Sequence, residues 1–216
     1  RGIQQLTMRI RGDFTPRYGE SLSLTLEDAR AGRVWRVGDG RLVLANDAET
    51  LGMELGLSLA NPDGAPAQAL LQVTSQKASS EARLRVTVDR VAARDIAAQS
   101  QVLALLSVLE APISGKLTAA LGADGKLAAF EGGLSLGAGA LRPEPGSRPV
   151  LFDTAELGLG FDAAREVITL TQLDVQSPSL RVKAQGHVYA PGVLTGRPES
   201  FLAQVSFSQL MVDPEG

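Results

Sequence analysis

The sequence predicts a mainly β protein: a curved antiparallel meander sheet, groove-like, with one α-helix near its middle. Three observations carry this. Apolar and polar residues alternate with a period of two over most of the chain, which marks strands with one greasy face and one wet face. The alternating runs are bounded by Gly, Asp, Asn or Pro, so strands adjacent in sequence pair through short turns. One stretch, 93–110, changes to helical spacing.

The elements follow in order. Residues 3–11 put Ile3, Leu6, Met8 and Ile10 on or near one face. "ESLSLTLED" alternates through Leu22, Leu24 and Leu26, and "GRLVLAND" through Leu42 and Leu44. "LGMELGLSLAN" sets Met53, Leu55, Leu57 and Leu59 against Glu54, Gly56 and Ser58. "NPDGAPA" at 61–67 is a turn. "ALLQVTS" and "ARLRVTVDR" follow, the latter with Leu84, Val86 and Val88 inward and Arg83, Arg85 and Thr87 outward. In 93–110, Ile96, Val102, Leu103, Leu105, Leu106 and Leu109 share one broad helical face, and Pro112 stops the run.

The second half returns to strands. Leu117, Ala119 and Leu121 alternate, "GADG" at 122–125 turns the chain, and Phe130, Gly132, Leu134 and Leu136 come back. "RPEPGSRP" at 142–149 is a loop. Leu157, Leu159 and Phe161 lie on the next strand, Ile168 and Leu170 on the one after, and Leu180, Val182, Ala184 and Gly186 on a third. "FDAARE" and "QSPS" make the turns between them. A last strand runs through Phe201, Ala203, Val205 and Phe207. The chain thus divides into a first strand set (1–92), a helix (93–110) and a second strand set (111–216). The two sets look loosely alike but show no fixed period.

Composition bounds the function. Of 216 residues 44% are hydrophobic but only 4% aromatic, so the greasy faces are aliphatic. The net charge of −3 argues against a nucleic-acid footprint, which needs a basic face. With no cysteine, disulfides and thiolate zinc sites are excluded. The chain opens on Arg1 rather than Met and reads as one segment of a longer protein. Its longest nearly uncharged apolar stretch, 96–109, is shorter than the about 20 residues a spanning helix needs.

No catalytic constellation is legible. His187 is the only histidine, on an outward register, and no G-x-S-x-G elbow accompanies it. Asp28, Asp39, Asp47, Asp63, Asp124 and Asp162 stand where turns need them. Asp162 to Glu166 lacks the spacing of a calcium loop. No Walker loop or dinucleotide fingerprint occurs. Trp35, with Arg33, Arg36 and Arg41 nearby, reads as a solvated face rather than a base-stacking platform. The expectation is a non-enzyme without cofactor or metal.

The greasy faces pose a covering problem. A helix of about 16 residues is ~24 Å long and ~10 Å across. Strands lie ~4.8 Å apart, so that helix shields only a few of them. Each inward Leu left wet forgoes roughly 1.5–3 kcal/mol. The cover is either a second sheet, in a closed sandwich or barrel serving as a structural or interaction module, or an apolar ligand on an open sheet. Small residues on the inward register, Ala119, Gly132, Ala184 and Gly186, leave room or permit curvature.

At 113–189 the text "ISGKLTAALGADGKLAAFEGGLSLGAGAL" followed by "AELGLGFDAAREVITLTQLDVQSPSLRVKAQGHVYA" resembles the repeats of the AsmA-like family, of the YhdP-type intermembrane phospholipid transport proteins. "LEAPISGKL" fits the same pattern, a short helix before an I-x-G-x-L strand. The resemblance implies a protein anchored in the inner membrane of a Gram-negative bacterium and extending across the periplasm. It implies a β-groove whose apolar lining shields phospholipid acyl chains on their way to the outer membrane, head groups outside. This chain would be an internal segment, its partners acyl chains and adjacent segments of the same chain, with the membrane reached through regions outside it. The lining would be Met53, Leu55, Leu57, Leu59, Leu84, Val86, Leu117, Leu121, Phe130, Leu134, Leu136, Leu157, Leu159, Phe161, Ile168, Leu170 and Val182.

Overall fold

The computed structural model describes residues 17–28, 33–60, 64–79, 81–97, 104–142, 147–177, 179–192 and 202–212. The expected strand at 3–11, Asp63, the helical-face residues Val102 and Leu103, and Phe201 fall outside the described residues, as do the side chains of Trp35, Arg33 and Arg36.

The first strand set forms β1 (Arg17–Asp28), β2 (Arg33–Asn46), β3 (Thr50–Ala60), β4 (Pro66–Gln76) and β5 (Ala82–Ala92). After an insert come β7 (Pro112–Leu121), β8 (Leu127–Leu136), β11 (Thr154–Asp162), β12 (Val167–Gln176), β13 (Leu180–Tyr189) and β14 (Leu202–Val212). These eleven strands make one sheet, in the order β1-β2-β3-β4-β5-β7-β8-β11-β12-β13-β14. Every neighbouring pair is antiparallel. Among the described residues the sheet is an open meander with β1 and β14 as its outermost strands, not a closed barrel. The pairing of β5 with β7 carries it without a break past the insert.

The turns use the chemistry their sequences offer. Asp47 caps the β2–β3 turn: its Oδ1 accepts the N–H groups of Glu49 (2.9 Å) and Thr50 (2.6 Å). At 122–125 Gly125 takes φ of +74°, and its N–H donates to the Gly122 carbonyl at 2.8 Å. Asp162 Oδ1 accepts from Ala164 N–H at 2.9 Å, closing the β11–β12 turn. Leu180 N–H donates to Ser177 Oγ at 2.9 Å between β12 and β13.

The helix exists but is shorter than the periodicity predicts. α1 spans Ala93–Ala97, a 3-10 turn occupies Ala104–Val108, and Leu109–Glu110 is already a strand, β6. An isolated helix this short has no stability of its own, so tertiary contacts decide its extent. Residues 98–103 lie outside the described residues, and 104–110 form a 3-10 turn and a strand rather than α-helix. Ala93 N–H donates to the Ala111 carbonyl at 3.0 Å, which brings the ends of the insert together. The backbone of Leu109 and Glu110 finds a partner in β9 (Gly139–Leu141), which also pairs β10 (Val150–Phe152). The small sheet β10-β9-β6 and the two helical turns form a cap. From the cap, Leu106 (0% exposed), Ile96 and Phe152 share one buried cluster with Ile113 (0% exposed) and Leu134 of the sheet.

Candidate functional site

Directly opposed residues of antiparallel strands project to the same face, so the register shows what each face carries. One row runs Leu44, Met53, Val73, Leu84, Ala119, Phe130, Phe161, Ile168, Val188 and Ala203 from β2 to β14. The next runs Leu42, Leu55, Leu71, Val86, Leu117, Gly132, Leu159, Leu170, Gly186 and Val205. A third runs Gly40, Leu57, Ala69, Val88, Gly115, Leu134, Leu157, Leu173, Ala184 and Phe207. A shorter one joins Val91, Ile113, Leu136, Ala155, Val175, Val182 and Leu210. No polar side chain interrupts these rows. With Leu59 opposite Ala67 and Leu121 opposite Ala82, all the lining residues expected from the sequence share this one face.

The opposite face is polar. Its matching row is Val43, Glu54, Gln72, Arg85, Thr118, Glu131, Gly160, Thr169, His187 and Gln204. His187 therefore stands on the polar side, where its ring meets Tyr189 edge-on at 5.3 Å. Gln72 Nε2 donates to Glu54 Oε2 at 3.0 Å, and Gln172 Nε2 donates to Glu156 Oε2 at 2.9 Å.

The cap divides the apolar face into a covered and an uncovered part. Leu57, Leu59, Leu117, Leu134, Leu136, Leu157, Leu159 and Leu170 pack into one cluster with the insert. Phe161 and Ile168 form a second cluster with Ala190, and Phe130 touches both. Phe130 and Phe161 stack with centroids 5.8 Å apart. Met53, Leu84, Val86, Leu121 and Val182 belong to neither cluster and are half-buried, and Leu55 is buried outside both clusters. The helical segment thus caps one end of the wall, and eleven of the seventeen expected lining residues are already packed against the chain itself.

The edge strand β14 carries exposed apolar side chains. Leu202, Phe207 and Leu210 are each more than half exposed, and the strand holds no charged residue. The other edge, β1, holds Arg17, Glu20, Glu27 and Asp28.

Sequence reading missed a repetition that the fold displays. Glu54-Leu55-Gly56-Leu57 on β3 recurs as Glu156-Leu157-Gly158-Leu159 on β11. Two strands later, Leu84-Arg85-Val86 on β5 recurs as Leu180-Arg181-Val182 on β13. Unequal turns between the strands hide any constant period. The signal was in the words themselves rather than in their spacing.

Two depressions of the polar face share a rim. One of about 1090 Å³ extends from β5 to β12 over a floor that includes Ala120, Ala129 and Gly160. The other, about 410 Å³, lies over β2 to β5. Arg83 and Arg85 line both. Among the described residues no group of three or more His, Cys, Asp or Glu is placed to hold a metal ion. No described helix is long and apolar enough to cross a membrane. No protein-family model matches the chain, and no curated protein or solved structure matches it either.

Proposed function

We propose that this chain is a wall segment of a lipid-conducting β-groove, shielding phospholipid acyl chains between an inner and an outer membrane. One observation carries the reading: an aliphatic face continuous in register from β2 to β14, on which Met53, Leu84, Val86, Leu121 and Val182 lie half-buried outside the clusters the chain itself forms. Acyl chains suit such a surface because each CH₂ kept from water is worth ~0.8 kcal/mol and no directional partner is needed. The rows lack polar side chains, so no depth along the wall offers a specific trap, and passive sliding follows. The uncharged, apolar edge β14 supports continuation into an adjacent segment, since an exposed edge of this kind invites another strand. The resemblance of residues 113–189 to AsmA-like repeats supports the periplasmic setting, an inner-membrane anchor outside this segment and a non-enzymatic role.

The test is lipid extraction and native mass spectrometry of the purified chain. Phospholipid should co-purify with the wild type. Charges belong where the wall is uncovered, because Leu134 and Leu159 are 3% and 4% exposed under the cap and charging them would unfold it. Met53→Glu with Leu84→Glu should abolish the lipid while the sheet keeps its circular dichroism. Equal lipid in variant and wild type, or none in either, overturns the proposal.

A further inference from the structure

The polar face carries a second feature independent of the acyl-chain reading. Arg83 and Arg85 lie two residues apart on β5 and project to the same side, about 7 Å from each other along the strand. Lys116, opposite Thr87 on the adjacent β7, adds a third cation diagonal to Arg85. All three line the larger depression, and among the described residues none of their side chains makes a hydrogen bond or ion pair. Of the two acids in the same depression, Asp162 is engaged elsewhere. Its Oδ1 accepts from Ala164 N–H (2.9 Å) and Arg165 N–H (3.2 Å), and its Oδ2 lies 3.6 Å from Arg165 Nε. Glu131 alone remains against three cations. Thr118, Thr169 and Thr171 add hydroxyl donors around the same floor.

We infer that this trough binds a ligand bearing two or more phosphate groups. The chain as a whole is acidic, with a net charge of −3, so a concavity where three cations face one unengaged acid, Glu131, is a local arrangement and not a consequence of composition. Low-dielectric walls focus the field of such charges into the depression. Guanidinium forks match phosphate oxygens two at a time, and an ammonium serves as a point charge beside them. Arg83 and Arg85 stand between the two depressions, so a ligand with successive phosphates can engage both arginines while reaching either side. The phosphates come either from a soluble polyphosphate or from head groups on a lipid surface.

Calorimetric titration of the purified chain with tripolyphosphate at low salt tests this, with amide shifts mapped by NMR on the wild type. Binding should shift Thr118 and Thr169. The triple variant Arg83→Gln, Arg85→Gln, Lys116→Gln should weaken it by at least about tenfold, the loss expected from removing charge-assisted bonds. A second triple variant, Arg94→Gln, Arg148→Gln, Arg181→Gln, removes the same charge from exposed positions outside the trough and should retain binding. Absence of wild-type binding, or equal weakening in both variants, overturns the inference. Vesicles of phosphatidylglycerol compared with phosphatidylcholine identify the source. Capture by the former, lost in the first variant, assigns head groups; tripolyphosphate binding without capture assigns a soluble ligand. The site lies on the opposite face from the aliphatic wall, so either proposal can fail while the other stands.

Discussion

Leu117 on β7 stands directly opposite Gly132 on β8, and the glycine's missing side chain is what lets the two strands meet there. A Cβ at 132 would lie 2.3 Å from the Lys116 carbonyl oxygen and 2.5 Å from Leu117 Cδ2. Gly132→Ala should therefore destabilise the protein by about 1–3 kcal/mol, the cost of overpacking a fitted contact. Gly133→Ala is the matched control. It sits on the polar face, where an added Cβ meets nothing within 4 Å. That variant should be neutral or gain up to about 1 kcal/mol from the less flexible unfolded chain. Urea denaturation of both variants decides the matter, and equal stabilities would refute the assigned role of Gly132.

The Asp47 carboxylate gives a pH-dependent prediction. The Thr50 hydroxyl donates to its Oδ2 at 2.7 Å, and this bond, followed by the backbone N–H groups of Thr50 and Glu49, holds its pKa below the usual Asp value. A folded-state pKa that is depressed adds stability above the unfolded value and loses it as pH falls through the folded one. The wild type should therefore shed this contribution below about pH 4. Asp47→Asn should melt lower than the wild type at pH 7, and the gap should close at acid pH. Thermal melts across that range read it out; a gap independent of pH would show that the carboxylate's charge plays no part.

Ser114 supports the one irregular point where β5 meets β7. The register slips between Val88 and Val91, and Arg90 takes φ of +53° in the slip. Ser114 Oγ accepts from Arg90 N–H at 3.0 Å and donates to Asp89 Oδ1 at 3.0 Å. Ser114→Ala should cost about 1–2 kcal/mol through these two bonds. Arg90→Gly should stabilise by up to about 1 kcal/mol, because glycine accepts the left-handed conformation without a Cβ clash. If Arg90→Gly destabilises by more than that, the long side chain of Arg90 matters more than its backbone strain.

How much of this was legible in the sequence follows from the range of each interaction. Met53, Leu55, Leu57 and Leu59 announce their strand because alternation is local, and pairing them with β4 needs only a short turn. The common face of all the lining residues follows from that alternation once register is continuous. The cap was not legible. Leu109 and Glu110 read as the end of a helix because their partners, Leu141 and Ala140, arrive some thirty residues later on a three-residue strand. The unpaired state of Arg83, Arg85 and Lys116 was equally hidden, since it depends on where Asp162 and Arg165 turn on another strand pair. Alternation showed an outward face but not that it dips into a trough.

The division of the wall into capped and uncapped parts can be measured through Leu106 and Leu84. Leu106 is 0% exposed in the 3-10 turn of the cap, whereas Leu84 is half-buried on the uncovered part of the sheet. Leu106→Ala removes buried methyl groups and leaves a cavity between the cap and the wall, which costs about 2–5 kcal/mol. Leu84→Ala loses only partial burial and opens no closed cavity, so about 1–2 kcal/mol is expected. The two losses should also differ in place. With Leu106 truncated, amide exchange should quicken in β6 and β9, whose short ladders depend on the cap being seated, while β12 and β13 keep their protection. With Leu84 truncated, exchange in β6 and β9 should stay as in the wild type. A Leu106→Ala protein that is as stable as Leu84→Ala, with unchanged exchange in β9, would mean that the cap contributes nothing to the fold and that the wall stands bare along its whole length.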